Sequence, residues 1–313
     1  MLGFVNIYKP KGITSHDVVA RLRRVTKIKQ IGHTGTLDPF AEGVLPVCIG
    51  KATRLIEYLA DDKAYIATVQ FGKVTDTYDI EGKVVSSSDK KVAKEDVIKS
   101  LKNFEGEIEQ IPPIYSAIKV NGKKLYEYAR AGEQVEIKPR KVIIEDIHIV
   151  SFDDVSQCAE IYIKCSKGTY IRTIGYDLGE MLGCGAYLTK LVRVQAGNFL
   201  VEDSTELGGL ENIEQVQACL ISPIEKMLLE KVLINDVEYK RCSNGLQIYP
   251  RDNIRGLVSL VYNNQLIGVA LADEKEIKVK KFIGLLWELM LLKLKNGSMN
   301  TRKLQNMIWQ ILV

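Results

Sequence analysis

Ile31-Gly32-His33-Thr34-Gly35-Thr36-Leu37-Asp38-Pro39-Phe40-Ala41-Glu42-Gly43-Val44-Leu45 sets one aspartate, Asp38, in a run of glycine, threonine and proline between a helical and a strand-like segment. Gly32, Gly35 and Gly43 open backbone conformations that other residues resist, and Pro39 fixes its own φ and removes a donor. Asp38 thus sits where a ligand can approach closely. The Asp-Pro pair by itself reads as a turn, with the aspartate as its cap. The length of the run argues for more than a turn.

Outward from this loop the patterning is regular. Residues 4–8 predict a strand, Ser15 an N-cap, and Val18, Val19, Leu22 and Val25 the apolar stripe of a helix that also carries Arg21, Arg23, Arg24 and Lys27. His33 falls in the same loop as Asp38, five residues before it. Beyond the loop, 44–49 reads as a strand and 52–60 as a short helix, and Tyr65, Ala67, Val69 and Phe71 alternate with Ile66, Thr68 and Gln70 as a half-buried strand. A helix is expected over 93–104, with Val97, Ile98, Leu101 and Phe104 on one side. Pro112-Pro113 breaks the pattern and Asn121-Gly122 signals a hairpin. Further elements are a helix at 124–131, strands at 141–151 and 159–165, a helix at 169–182, a strand at 190–200 and an acidic connector at 202–216. Two apolar runs around Asn263-Asn264 and a basic strand at 275–281 make about 235–282 a compact β-rich piece. At the end, Leu285, Leu286, Leu289, Leu292 and Leu294 suggest an amphipathic helix, Asn296-Gly297 a stop and 301–313 a second short helix.

At 313 residues, 46% hydrophobic and 26% charged, the chain has enough apolar matter for one large or two modest cores, which excludes disordered and fibrous classes. No apolar stretch reaches the roughly 20 residues that span a bilayer. The start lacks a charged n-region followed by an apolar h-region, so the expectation is a cytoplasmic protein without signal peptide or membrane contact. Six scattered cysteines without a Cys-x-x-Cys pair, and three histidines at no ligand spacing to them, indicate neither a zinc site nor a disulfide framework.

A net charge of +4 does not by itself announce a nucleic-acid partner. Positive charge for RNA must be local, and it concentrates between residues 114 and 141, where seven Lys or Arg face three Glu with Tyr115, Tyr126 and Tyr128 interleaved. Lys123 and Lys124 lead this stretch. It suits an arm that grips phosphates and stacks on bases, and its composition equally suits a solvated surface hairpin.

The loop resembles that of the bacterial tRNA pseudouridine-55 synthases, the TruB family, where Gly-x-Leu-Asp-Pro-x-Ala-x-Gly-Val-Leu surrounds a catalytic aspartate. Gly35, Leu37, Asp38, Pro39, Ala41, Gly43, Val44 and Leu45 all match. Further matches keep the family's order: Gly3 to Gly12 with Ser15, then Lys63-Ala64-Tyr65, Cys165-Ser166-Lys167-Gly168-Thr169-Tyr170-Ile171-Arg172 and Leu191-Val192-Arg193. The resemblance runs over about 3–280 and leaves 283–313 as an atypical tail without a role. It implies an α+β fold: a catalytic domain over 1–232 with a mixed, mainly antiparallel sheet and flanking helices, a thumb insertion at about 110–141, and a small β-rich, PUA-like RNA-binding domain over 233–282.

The implied reaction cleaves the N1–C1′ bond of uridine 55 in the tRNA T arm, rotates the uracil and rejoins C5 to C1′. No redox step, metal or cofactor is required. A carboxylate can attack the sugar carbon, add to the ring, or stabilise charge at C1′ while taking a 2′ proton, and uracil leaves as a delocalised anion without the second carboxylate of a glycosidase. The resemblance assigns Asp38 as that carboxylate and Arg172 as the cation that keeps it ionised. Extruding the uridine costs a few kcal/mol, and an aromatic face beneath it returns roughly 1–3 kcal/mol per base. Tyr65 is implied as that face and as a relay for the C5 proton, Tyr170 as a pocket wall or donor, Leu191 as an apolar lid, and His33 as a wedge in the RNA loop. Taken alone, a strand tyrosine is more often core, a lone histidine scaffold, and a single arginine part of an unrelated salt bridge.

The implied partner is tRNA, with the chain acting as a monomer without protein partners. Alternatives are an RNA-binding or tRNA-folding module with incidental catalysis, a guide-RNA-dependent relative, and a metal-free hydrolase built on one carboxylate.

Overall fold

Tyr65, Ala67, Val69 and Phe71 are all buried, and the strand that carries them, Lys63–Phe71, lies inside a ten-stranded sheet. The structure is a computed structural model that describes residues 1–284, so the expected helices at 285–313 lie outside the described residues. In the sheet, neighbours run Thr205–Glu206, Gly3–Lys9, Glu42–Ile49, Ala186–Ala196, Lys63–Phe71, Cys158–Cys165, Arg140–Asp153 and Gly106–Gln110. Two pairings are parallel, Thr205–Glu206 with Gly3–Lys9 and Ala186–Ala196 with Glu42–Ile49, and the others antiparallel. The α+β class with a mainly antiparallel sheet is therefore the observed one.

Two apolar clusters cover this sheet. The helix Ser15–Thr26 buries Val18, Val19 and Leu22 with Val5, Ile7, Leu45 and Val47. The helices Lys94–Leu101 and Ile171–Leu182 bury Val97, Leu101, Ile174 and Leu178 with Ala67, Val69, Ile161 and Ile163. A fully buried leucine such as Leu22 or Leu178 contributes about 1.5–3 kcal/mol relative to exposure.

Met1–Thr53 and Leu59–Ile221 form one compact unit, and Arg54–Tyr58 with the described residues from Ser222 onward form another. The second holds a four-stranded sheet in the order Glu230–Leu233, Gly256–Tyr262, Gln265–Ala272 and Ile277–Phe282. Asn263 and Asn264, at φ 48° and 59°, make the tight turn of its central hairpin. Asn235 caps the helix Asp236–Ser243, whose Tyr239 and Cys242 pack on the sheet.

Several expectations need correction. The N-cap of the first helix is Thr14, not Ser15: Thr14 Oγ1 accepts from the Asp17 backbone N–H and Asp17 accepts from Thr14 N–H. Ile98 does not join Val97, Leu101 and Phe104 but is 42% exposed, since helical spacing turns it off their stripe. Residues 50–58 wind as a 3₁₀ helix, and the strand expected from 190 starts at Ala186. The acidic connector contains a capped helix, Ile213–Ala218, with Val216 in the core. Between the first helix and the Asp38 loop, Ile31–His33 pairs with Val47–Ile49, so His33 ends a strand and does not lie in the loop.

Candidate active site

The loop from Thr34 to Ala41 is fastened on both sides of Asp38. Leu37, Phe40 and Ala41 are buried anchors on either side of the aspartate. Ser15, freed from capping, accepts from Leu37 N–H at 2.8 Å and donates to Leu37 C=O at 3.1 Å, so one hydroxyl satisfies both backbone groups of the residue before Asp38. Gly12 N–H donates to Pro39 C=O at 2.8 Å. Gly43 has φ 104° and lies so close to the Arg193 backbone that any Cβ would collide with its carbonyl, which explains a glycine here.

Two buried cations hold the loop without a carboxylate. Arg193 donates to the carbonyls of Val44 (2.7 Å), Gly35 (3.1 Å) and Thr36 (3.3 Å). Lys9 Nζ donates to Ile13 (2.7 Å), Pro10 (3.0 Å) and Pro39 (3.5 Å) carbonyls. Burial pushes the Lys9 ammonium down to about 8, against the pull of Asp38.

Asp38 is 37% exposed, and its Oδ2 receives Arg172 Nε at 2.9 Å. Arg172 comes from the first turn of Ile171–Leu182 and is only 5% exposed. Its other nitrogens are engaged: Nη1 donates to Thr77 C=O at 3.1 Å and lies 3.4 Å from Asp79 Oδ2, and Nη2 donates to Tyr115 C=O at 2.9 Å. Burial raises the Asp79 pKa, opposed by the Thr77 hydroxyl, the Arg172 guanidinium and the Glu81 N–H. One guanidinium therefore joins an accessible carboxylate, a buried carboxylate and the base of the 114–141 arm.

Tyr65 is buried in the core cluster that holds Leu37 and Phe40, and Leu191 is buried in the same cluster. Burial raises the Tyr65 phenol, while the adjacent Arg193 guanidinium, hydrogen-bonded to it, works the other way. Tyr170 is half-buried, immediately before the Arg172 helix, and its backbone exchanges two hydrogen bonds with Gln110 at 2.8 and 3.0 Å. The His33 ring is half-buried, its Nδ1 without a partner among the described residues, and burial lowers its pKa with help from Arg193 and His16. Lys123 and Lys124 lie on the arm and turn to its own groups: Lys123 pairs with Glu133 at 2.8 Å and sits 4.6 Å above the Tyr128 ring, and Lys124 sits 5.3 Å above Tyr126. The structure thus joins Asp38 directly to Arg172, with Tyr65 and Leu191 in the core beside the loop, and leaves the two lysines as arm residues.

Sequence reasoning missed Asp79 and the loop-holding work of Lys9, Ser15 and Arg193. Asp79 had a legible signal in Asp76-Thr77-Tyr78-Asp79, two acids and a threonine in a turn ending at Gly82. Buried cations bonded to carbonyls leave no such mark.

The chain is similar to known proteins over most of its length. The TruB family pseudouridylate synthase (N terminal domain) matches residues 23–171, and the tRNA pseudouridylate synthase B C-terminal domain matches 172–236. The tRNA pseudouridine synthase B of Clostridium novyi (strain NT) is 42% identical, covering 90% of this chain and 100% of its own. That of Clostridium acetobutylicum is 44% identical over the same shares. Among solved structures, a chain of a Cbf5-Nop10-Gar1 complex superposes with a TM-score of 0.69 at 26% identity, over 90% of this chain and 84% of that one. A chain of an H/ACA RNP bound to a substrate RNA containing 2'-deoxyuridine gives 0.69 at 25% identity, over 90% and 85%. With family matches over most of its length and relatives above 40% identity, this chain, an isomerase that modifies a tRNA uridine, belongs to the TruB family of pseudouridylate synthases.

Proposed function

We propose that the chain converts uridine 55 in the T arm of tRNA to pseudouridine, with Asp38 as the essential carboxylate. The observation that carries this reading is the 2.9 Å pairing of an exposed Asp38 with a buried Arg172. A carboxylate so held stays aimed at one point while its accessible side remains open to the C1′ of an everted nucleotide. Cleavage, rotation and rejoining keep every atom of the substrate, so the reaction calls for no cofactor.

The other site residues take the roles that their family motifs imply. Tyr65 and Tyr170 offer aromatic surface and hydroxyls to the base, Leu191 closes the apolar side and His33 enters the RNA loop. Lys123 and Lys124 meet phosphates on an arm whose base is tied to Arg172 through the Tyr115 carbonyl. The β-rich segment over about 233–282 serves as a PUA-like RNA-binding domain. The chain acts on free tRNA as a monomer in the cytoplasm, where that substrate is found, and needs neither guide RNA nor protein partner. No helix among the described residues is long and apolar enough to cross a membrane.

The test is incubation of the purified protein alone with an unmodified tRNA transcript and mapping of the product. Pseudouridine confined to position 55 is the expected result. Release of free uracil, or dependence on an added guide RNA, contradicts the proposal.

A further inference from the structure

Tyr78 has φ 63°, a left-handed conformation that is an outlier for a bulky residue. It stands between the two groups of its turn that meet Arg172, the Thr77 carbonyl and the Asp79 carboxylate. Turning this φ to the ordinary negative range rotates everything after Tyr78 relative to Thr77, so one arginine nitrogen cannot keep both contacts. The turn has little apolar burial to fix it, since Ile80 is 46% exposed. What holds it is polar, namely Thr75 Oγ1 to Asp79 C=O at 2.7 Å, Thr77 Oγ1 to Asp79 Oδ1 at 2.7 Å and Leu188 N–H to Tyr78 C=O at 3.0 Å. The exception is one ring contact: Tyr78 stacks on Tyr176, centroids 4.1 Å apart and planes 17° apart.

Tyr176 lies four residues after Arg172 on the same helix, hence on the same face one turn along. The helix therefore grips the 77–79 segment at two points, by Arg172 through its carbonyl and carboxylate and by Tyr176 through its ring. We propose that the Tyr78–Tyr176 stack is a positioning device for the reaction: it holds Tyr78 in its left-handed conformation and thereby keeps Asp79 against Arg172 and Arg172 against Asp38. This rests on Asp38 and Arg172 acting as set out above. Neither tyrosine touches the reacting atoms.

The test separates ring, hydroxyl and backbone. Tyr78→Gly accepts φ 63° freely but has no ring, Tyr176→Leu keeps the helix but has no ring, and Tyr78→Phe and Tyr176→Phe keep both rings. Single-turnover rate and tRNA affinity are measured for each, for the Tyr78→Gly/Tyr176→Leu double variant and for Asp38→Asn, with thermal melting as a folding check. The expected result is a rate lower by about 10- to 100-fold in each ring-less variant, with affinity within about threefold of wild type. The phenylalanine variants keep a near wild-type rate, and the double variant is no slower than the slower single. A wild-type rate in a folded ring-less variant, multiplying losses in the double, or equal losses in the phenylalanine variants overturn the inference. Should Tyr78→Gly fail to fold, Tyr176→Leu and its phenylalanine control decide alone. A full rate in Asp38→Asn overturns the underlying catalytic reading instead.

Discussion

Arg172 and Asp38 form a pair of unequal exposure: Nε and Oδ2 are 2.9 Å apart, yet the arginine side chain is 5% exposed and the aspartate 37%. The cation belongs to the protein interior and the anion to the accessible surface. In an ordinary surface salt bridge both partners are wet and the pair contributes little. Here the guanidinium is fixed by Asp79, Thr77 and Tyr115, so its pairing holds the carboxylate in one place.

Arg172→Lys keeps the charge but not the planar fork, and leaves several of these acceptors unpartnered. The single-turnover rate is expected to fall by roughly 100-fold or more, with a lower melting temperature and near-normal tRNA affinity. Rapid-quench kinetics beside a filter-binding titration checks this.

Ser15→Ala removes both hydrogen bonds to Leu37 and leaves a buried N–H without its partner. The loss of stability is expected to be about 1–3 kcal/mol in urea denaturation. Because the loop next to Asp38 loosens, the rate falls while the affinity for tRNA holds.

His33 supplies a pH dependence. Its folded pKa lies below the ordinary value of 6.5, so between the two the unfolded chain binds the proton and the folded chain does not. Its contribution to stability is complete above 6.5 and is lost as pH falls through the lowered value. Denaturation at pH 7.5 and at about 5 is expected to show a larger acid loss in wild type than in His33→Gln.

Lys123→Ala with Lys124→Ala removes two charges that the proposal assigns to phosphate contacts on the arm. The slope of log affinity against log salt is expected to shrink by about 1.5, with the chemical step unchanged at saturating tRNA. An unaltered slope reduces the arm to a surface hairpin held by its own Lys–Tyr contacts.

Period and punctuation made much of the fold legible. The alternation at 65–71, the stripe of Val18 and Leu22, and the Asn121-Gly122 and Asn263-Asn264 turns follow from local chemistry. Errors fell where long-range contacts decide. Ser15 looks like a cap because serine usually is one, and only the approach of Leu37 from 22 residues away gives its hydroxyl other work. Asp79 could be seen as a turn acid, but its pairing with Arg172, 93 residues on, belongs to the tertiary fold. In the sequence only family motifs bring Asp38 and Arg172 together, since no periodicity links them.

The proposed reaction depends on one carboxylate, Asp38. Release of hydrogen from C5 of a uridine-labelled T-arm stem-loop, by wild type and by Asp38→Asn without metal or nucleotide, measures this most directly. Stoichiometric release by wild type and none by a variant that still binds the RNA is the predicted result. Release by Asp38→Asn at the wild-type rate contradicts the account.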